Sequence, residues 1–201
     1  MRLGSWILVV VLALALVPAG ASAQSAKKPY MLHGGLGYTA ALNDGAPSGS
    51  LGLQGGVIYR LQGSPQVGIG GELGYFMLGS VTNSYYDGVV AYEEKASWSA
   101  IPLLGELYYF VSPKVSTPYL VGGLGIYPFK ISYSAEGSVG GYAGSVSGDI
   151  SETDFGVNAG LGFLFGQPGS QLRFGADGRL HIIMTEDEST NVLAIMGRLF
   201  F

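Results

Sequence analysis

The chain has two histidines, His33 and His181, and no cysteine. A histidine acting as a general base needs a nucleophile within hydrogen-bond reach. Both histidines fall in alternating segments, where residues two apart share a face. Met31 and Gly35 flank His33 at that spacing, and Arg179 and Ile183 flank His181. Neither pair supplies a serine, so an enzyme is not expected. Zinc is disfavoured too, with no cysteine and no paired histidine spacing. Glycine clusters hold phosphate where a strand, a glycine turn and a helix follow one another, and no amphipathic helix follows any of them here. No catalytic, cofactor-binding or metal-ligating residue is therefore expected, and no cofactor.

What remains is charge placed on strands. Glu72, Glu106, Asp154 and Asp177 stand against Arg60, Lys130, Arg173, Arg179 and Arg198. Buried charges are tolerable when they are paired. Signs this evenly mixed suit an enclosed interior, and Arg60, Glu72, Glu106, Arg173, Asp177 and Arg179 are expected to form a structural charge network there.

Eight candidate strands, most of them clearly alternating, are available to position these groups. They are Tyr30–Ala41, Ser50–Leu61, Gln66–Met77, Ser97–Phe110, Pro118–Tyr133, Glu152–Phe165, Gln171–Thr185 and Asn191–Phe201. In the third, Val67, Ile69, Leu73 and Tyr75 oppose Gly68, Gly70, Glu72 and Gly74. In the seventh, Leu172, Phe174, Leu180, Ile182 and Met184 oppose Arg173, Asp177, Arg179 and His181. The fifth is ambiguous. Placing Tyr119, Val121, Tyr127, Phe129 and Ile131 outward turns Lys130 inward, although Gly122 to Gly125 would allow the other parity.

Alternation alone does not say which face is wet. A soluble ligand carrier would turn its apolar face inward. Here the polar face is mostly glycine, whereas a solvated surface is richer in Lys and Glu. Charged residues are 12% of the chain, against ~25% in typical soluble domains. The apolar face is therefore expected to point outward, into lipid. After Val17 no apolar run reaches helix-spanning length, so any membrane crossing must use strands.

The N-terminus reads as an export leader. Arg2 is its positive region, Trp6 to Val17 its apolar run and Ala21-Ser22-Ala23 its cleavage site, which puts the mature start at Gln24. Removing residues 1–23 takes away one base, Arg2, and leaves fourteen acids against nine bases. That balance argues against a nucleic-acid partner. Residues 24–201 are expected to form one domain.

Connections alternate in length. Gln62 to Pro65, Val111 to Thr117 and Gly166 to Ser170 are short. Leu78 to Ala96 and Ser134 to Ser151 are long, and Leu42 to Gly49 and Glu186 to Thr190 complete their side. Most acids fall on that long side. Aromatic residues bracket both strand ends: Tyr30, Tyr59, Tyr109, Tyr119, Phe163, Phe165, Phe174 and Phe201 at one, and Tyr38, Tyr75, Trp98, Tyr127, Phe129 and Phe155 at the other. Short turns, long loops and two aromatic girdles are features of outer-membrane barrels. The expected fold is all-β, a closed antiparallel eight-stranded transmembrane β-barrel.

Certain motifs carry a family resemblance. They are Gly35-Leu36-Gly37-Tyr38, Gly160-Leu161-Gly162-Phe163, Gly123-Leu124-Gly125-Ile126-Tyr127 and the terminal Gly197-Arg198-Leu199-Phe200-Phe201. On these the chain resembles the small outer-membrane barrels of the outer-membrane protein A and X type, grouped loosely with porin-family β-barrels. The resemblance implies a place in the outer membrane of a Gram-negative-type bacterium, among lipids and lipopolysaccharide. It also implies that the terminal aromatic, Phe201, is read by the barrel-assembly machinery. A structural or cell-surface role is expected: membrane integrity, lipopolysaccharide contact, or adhesion to an extracellular partner through the long loops. The alternative is a narrow channel for small or apolar solutes. A membrane-embedded lipid hydrolase is a third class.

Overall fold

The computed structural model describes residues 29–43, 45–87, 89–139, 142–167, 170–185 and 189–201. The expected leader, residues 1–23, and the mature start at Gln24 lie outside them, as do Asp44, Glu186, Asp187 and Glu188. Alternation becomes strand throughout. The strands are β1 (Tyr30–Ala41), β2 (Ser50–Leu61), β3 (Ser64–Tyr86), β4 (Val90–Ala100), β5 (Leu103–Phe110), β6 (Thr117–Val139), β7 (Tyr142–Phe165), β8 (Arg173–Met184) and β9 (Ser189–Phe200).

Nine strands make eight staves. β4 and β5 are one stave interrupted at Ile101-Pro102, because both pair with β3 on one side and β6 on the other. Proline lacks the N–H a ladder needs, and neighbouring backbone bridges the gap. The Gly74 amide donates to the Pro102 carbonyl at 2.9 Å, and the Ile101 amide donates to the Pro128 carbonyl at 2.8 Å. Every pairing is antiparallel, and β1 pairs with β9, so the ring closes. The seam ends on the last residue: the Phe201 amide donates to the Leu32 carbonyl at 2.8 Å, and the Leu32 amide donates back at 3.2 Å.

The face assignments hold in most staves. Leu36, Val57, Ile69, Leu107, Leu161, Phe174 and Ile195 are exposed on the outer wall, while His33, Gln54, Glu72, Glu106, Asp177, Arg179 and Arg198 are buried in the lumen. The fifth expected strand is the exception. Tyr119, Val121 and Tyr127 are buried, and Leu120, Leu124 and Ile126 are exposed. Phe129 packs against the buried core. The parity allowed by Gly122 to Gly125 is the one adopted, because it brings the Tyr119 and Tyr127 hydroxyls to polar partners inside. Lys130 consequently leaves the lumen and pairs with Asp149 at 2.9 Å, both side chains about half exposed. Trp98 also departs from the expected girdle. It shares parity with Ala100 and packs inward with Phe129.

The two long connections are strands rather than loops. β3 and β6 run 23 residues and β7 runs 24, against 12 for β1, β2, β8 and β9. A 24-residue strand is about 80 Å long, far more than an apolar band of ~25 Å needs even when tilted. The excess forms a four-stranded blade, β3-β4-β6-β7, standing beyond the barrel mouth. Its register runs unbroken from Phe129↔Glu152 to Val139↔Tyr142. Serine, glycine and acid-rich sequence reads as loop because it lacks apolar alternation. It pairs here because each strand continues a ladder already set in the barrel. One irregularity marks the exit. The β3–β4 register shifts between Met77 and Gly79, and Gly79 has φ +102°, a bulge that non-glycine residues resist.

Candidate functional site

The lumen is filled in layers. At the end holding both described termini lie Ile58, Tyr108, Phe110, Tyr119, Val121, Leu164 and Phe200. At the blade end lie Phe76, Leu78, Ala100, Leu104, Tyr127, Ile183, Val192, Ala194 and Met196. Between these apolar layers sit five charged groups with fully buried side chains: Glu72, Glu106, Asp177, Arg179 and Arg198.

Arg179 is the hub. Its Nη1 donates to Glu72 Oε1 at 3.2 Å and to Glu106 Oε1, and its Nη2 donates to Asp177 Oδ2 at 3.0 Å and to the Tyr108 hydroxyl at 3.3 Å. β8 and β3 are opposite staves of the ring, so the Arg179–Glu72 pair spans the bore. Arg198 makes a second crossing. It donates to Glu72 Oε2 and Gln54 Oε1, each at 2.6 Å, and its Nε is 2.5 Å from Asp177 Oδ2. Tyrosine hydroxyls take up further carboxylate capacity. Tyr108 donates to Glu106 at 2.5 Å and Tyr119 to Asp177 at 2.8 Å. Charge-assisted bonds of this kind are the stronger ones.

Arg198 also meets His33 Nδ1 at 3.0 Å. A guanidinium only donates, so His33 accepts there and carries its proton on Nε2, 3.7 Å from Glu72. His181 packs between Phe76 and Tyr127, whose hydroxyl lies 3.0 Å from its Nδ1. Among the described residues no group of three His, Asp or Glu side chains could hold a metal ion.

Glycine makes room for this network. A Cβ at Gly160 would stand 2.6 Å from Arg179 Cγ, one at Gly123 would stand 2.9 Å from Glu106 Cγ, and one at Gly35 would stand 3.1 Å from Arg198 Cγ. The facing glycines are the space into which the long charged side chains bend.

Of the six residues expected to cluster, the structure brings together Glu72, Glu106, Asp177 and Arg179. Arg60 and Arg173 share their parity but lie one layer nearer the termini. The Arg60 guanidinium sits 4.0 Å over the Phe110 ring, and Arg173 pairs in register with Phe200. Sequence reasoning left Arg198 out of the network. Its signal was available, since Arg198 alternates with the outward Leu199 and Gly197, and the β1 register sets it opposite Gly35, two residues from His33.

Comparison with known proteins gives the same architecture. The description "Outer membrane protein beta-barrel domain" matches residues 9–196. No curated protein matches in sequence. Among solved structures, Neisserial surface protein A is similar at 11% identity and TM-score 0.51, covering 86% of this chain and 96% of its own. Ail of Yersinia pestis, in complex with the heparin analogue sucrose octasulfate, is similar at 15% identity and TM-score 0.49, covering 86% and 97%. The N-terminal barrel of Pseudomonas aeruginosa OprF follows at 13% and 0.44, covering 87% and 98%. At such identities the first likeness shows a shared fold, and the others add no argument. The family match spans nearly all of the sequence and reaches into every stave of the closed ring, and the chain belongs to the outer membrane protein beta-barrel domain family.

Proposed function

We propose that this outer-membrane protein is a sealed barrel whose work is done at the cell surface by its blade. One observation carries the reading: the bore is crossed along its diameter by buried arginine–carboxylate bridges, with an apolar layer on either side. Eight staves leave an interior about wide enough for side chains, and here side chains occupy it. A solute would have to break several buried ion pairs, each break leaving an uncompensated charge. The blade supplies the surface for contact. Among the described residues, no strand lies beside the outer edge of β3 beyond Phe76 or the outer edge of β7 over Tyr142–Asp154. Tyr85, Tyr86, Tyr92 and Tyr142 are exposed toward its tip. Tyrosine among small polar residues suits protein contact. Membrane integrity, lipopolysaccharide contact and adhesion are the forms this role would take.

On the same reading, residues 1–23 are removed on export, residues 24–201 fold as one domain, and Phe201 is the aromatic that the assembly machinery recognises. The deciding experiment is single-channel recording of the refolded protein in planar bilayers, with refolding verified by a heat-dependent gel shift. A silent bilayer is the expected result. Discrete, reproducible openings would overturn the sealed-barrel reading in favour of a channel.

A further inference from the structure

At the base of the blade, on its inner face, a hollow of about 290 Å³ opens above the upper apolar layer. Its floor is Ile183, which is fully buried. Its walls are Trp98, Phe129 and Ile150, and the Trp98 and Phe129 rings meet edge to face with centroids 6.4 Å apart. Ile131, Thr185 and Thr190 also line it, as do two carboxylates, Glu152 and Asp154. They are two residues apart on β7, so they share the inward face with Ile150. Glu152 stands directly across from Phe129.

Among the described residues neither carboxylate has an ion-pair partner. Among the described residues, the acids engaged in ion pairs are Glu72, Glu106, Asp149 and Asp177. The described bases lie elsewhere: Lys95 shares the blade face of Lys130, Arg173 pairs in register with Phe200, and Lys114 is in the turn between β5 and β6. Arg179 and Arg198 lie below the upper layer, Arg60 stacks on Phe110 in the lower one, and Lys130 faces the opposite side of the blade. Two carboxylates beside apolar walls make an environment that favours positive charge.

The walls decide which kind of cation. Calcium takes six to eight oxygen ligands, and most of this lining is aromatic or aliphatic, with side-chain oxygens only from Glu152, Asp154, Thr185 and Thr190. An aromatic face attracts an ammonium through its quadrupole, more strongly when both are desolvated. Branched aliphatic neighbours accept the apolar part of the same molecule. The volume is at the small end for ligand pockets and matches one substituted ring rather than a polymer. We propose that this hollow at the barrel mouth is a binding site for a small organic cation with an apolar body.

Trp98 makes the site its own reporter. The chain has two tryptophans, Trp6 and Trp98, so in a Trp6→Phe parent all indole emission comes from the pocket wall. The refolded full-length parent in zwitterionic detergent would be titrated with benzyltrimethylammonium. Benzyl alcohol and benzenesulfonate would serve as the neutral and anionic comparators. A saturable change in Trp98 emission is expected for the ammonium only. Glu152→Gln with Asp154→Asn should weaken it about tenfold or more, as expected for losing charge-assisted contacts. Asp87→Asn, at the far hairpin tip, should leave it within about twofold. Should the double variant fail the gel-shift test of refolding, Glu152→Gln alone, at a half-open position, gives the same reading. Equal responses to all three probes, no saturation, or equal loss in the Asp87→Asn protein would each overturn the assignment.

Discussion

Arg179 holds three carboxylates in a place water does not reach, and its loss cannot be absorbed locally. Arg179→Met would leave Glu72, Glu106 and Asp177 with only Arg198 between them. Breaking a buried pair in this way costs about 3–5 kcal/mol, to be measured as the shift in urea unfolding of the detergent-folded protein. Glu106 should behave differently. Three carboxylates face two guanidiniums in the middle layer, so Glu106→Gln removes surplus negative charge and keeps an acceptor for Arg179. Its unfolding midpoint is expected to match or exceed that of the parent, and a loss comparable to Arg179→Met would contradict that charge count. The glycines separate as sharply. A Cβ at Gly37 would fall 1.9 Å from the Ile195 carbonyl oxygen, across the seam, whereas one at Gly178 would meet nothing within 4 Å. Gly37→Ala should cut the refolded fraction on a gel-shift assay, and Gly178→Ala should leave it unchanged. Residue parity was readable in the sequence for Glu72, Asp177 and Arg179. Height along the bore was not, which is why Arg60 and Arg173 were grouped with residues one layer away.

Strands carry their own lesson. The third and seventh expected strands have the faces expected of them, because bulky apolar residues alternate with glycine or charge. The stave from Thr117 failed because glycine occupies both parities at Gly122 and Gly123, and aromatics there serve the lumen as well as lipid. The blade was invisible for another reason: a strand solvated on both faces has no apolar period to detect. Its tip is held by a side chain. The Asp87 carboxylate accepts from the Val90 amide at 2.8 Å and the Val89 amide at 3.0 Å, and these two bonds hold its pKa below the usual carboxylate range. A group lowered in the folded state stabilises above its unfolded pKa and loses that contribution as pH falls through the folded one. Asp149, bonded to Lys130 and then Ser132, is lowered in the same sense. Amide exchange at Val89 and Val90 is therefore expected to be protected at neutral pH and to lose protection as the solution is made more acidic than ordinary carboxylate titration. Unchanged protection through that window would mean the turn is held by its ladder alone.

At the scale of the whole molecule, barrel and blade share strands but not purposes. The β2–β3 and β7–β8 ladders end at Phe76 and Phe155, and the blade contributes no rung to either. Replacing residues 80–97 and 132–151 with short turns should leave a protein that refolds and shifts on a gel while losing whatever surface contact the blade makes. Failure to refold would mean the hairpins direct closure of the ring. That closure has a consequence in time. The seam joins the earliest stave to the latest, with Leu32 and Phe201 exchanging bonds across it, so neither lip has a permanent partner until β9 has been made. An unfinished chain carries two raw edges, each a template for pairing with a stranger. Contacts spanning this much sequence also form slowly. Before closure the vulnerability of the chain to aggregation is concentrated at these two edges rather than in the finished ring.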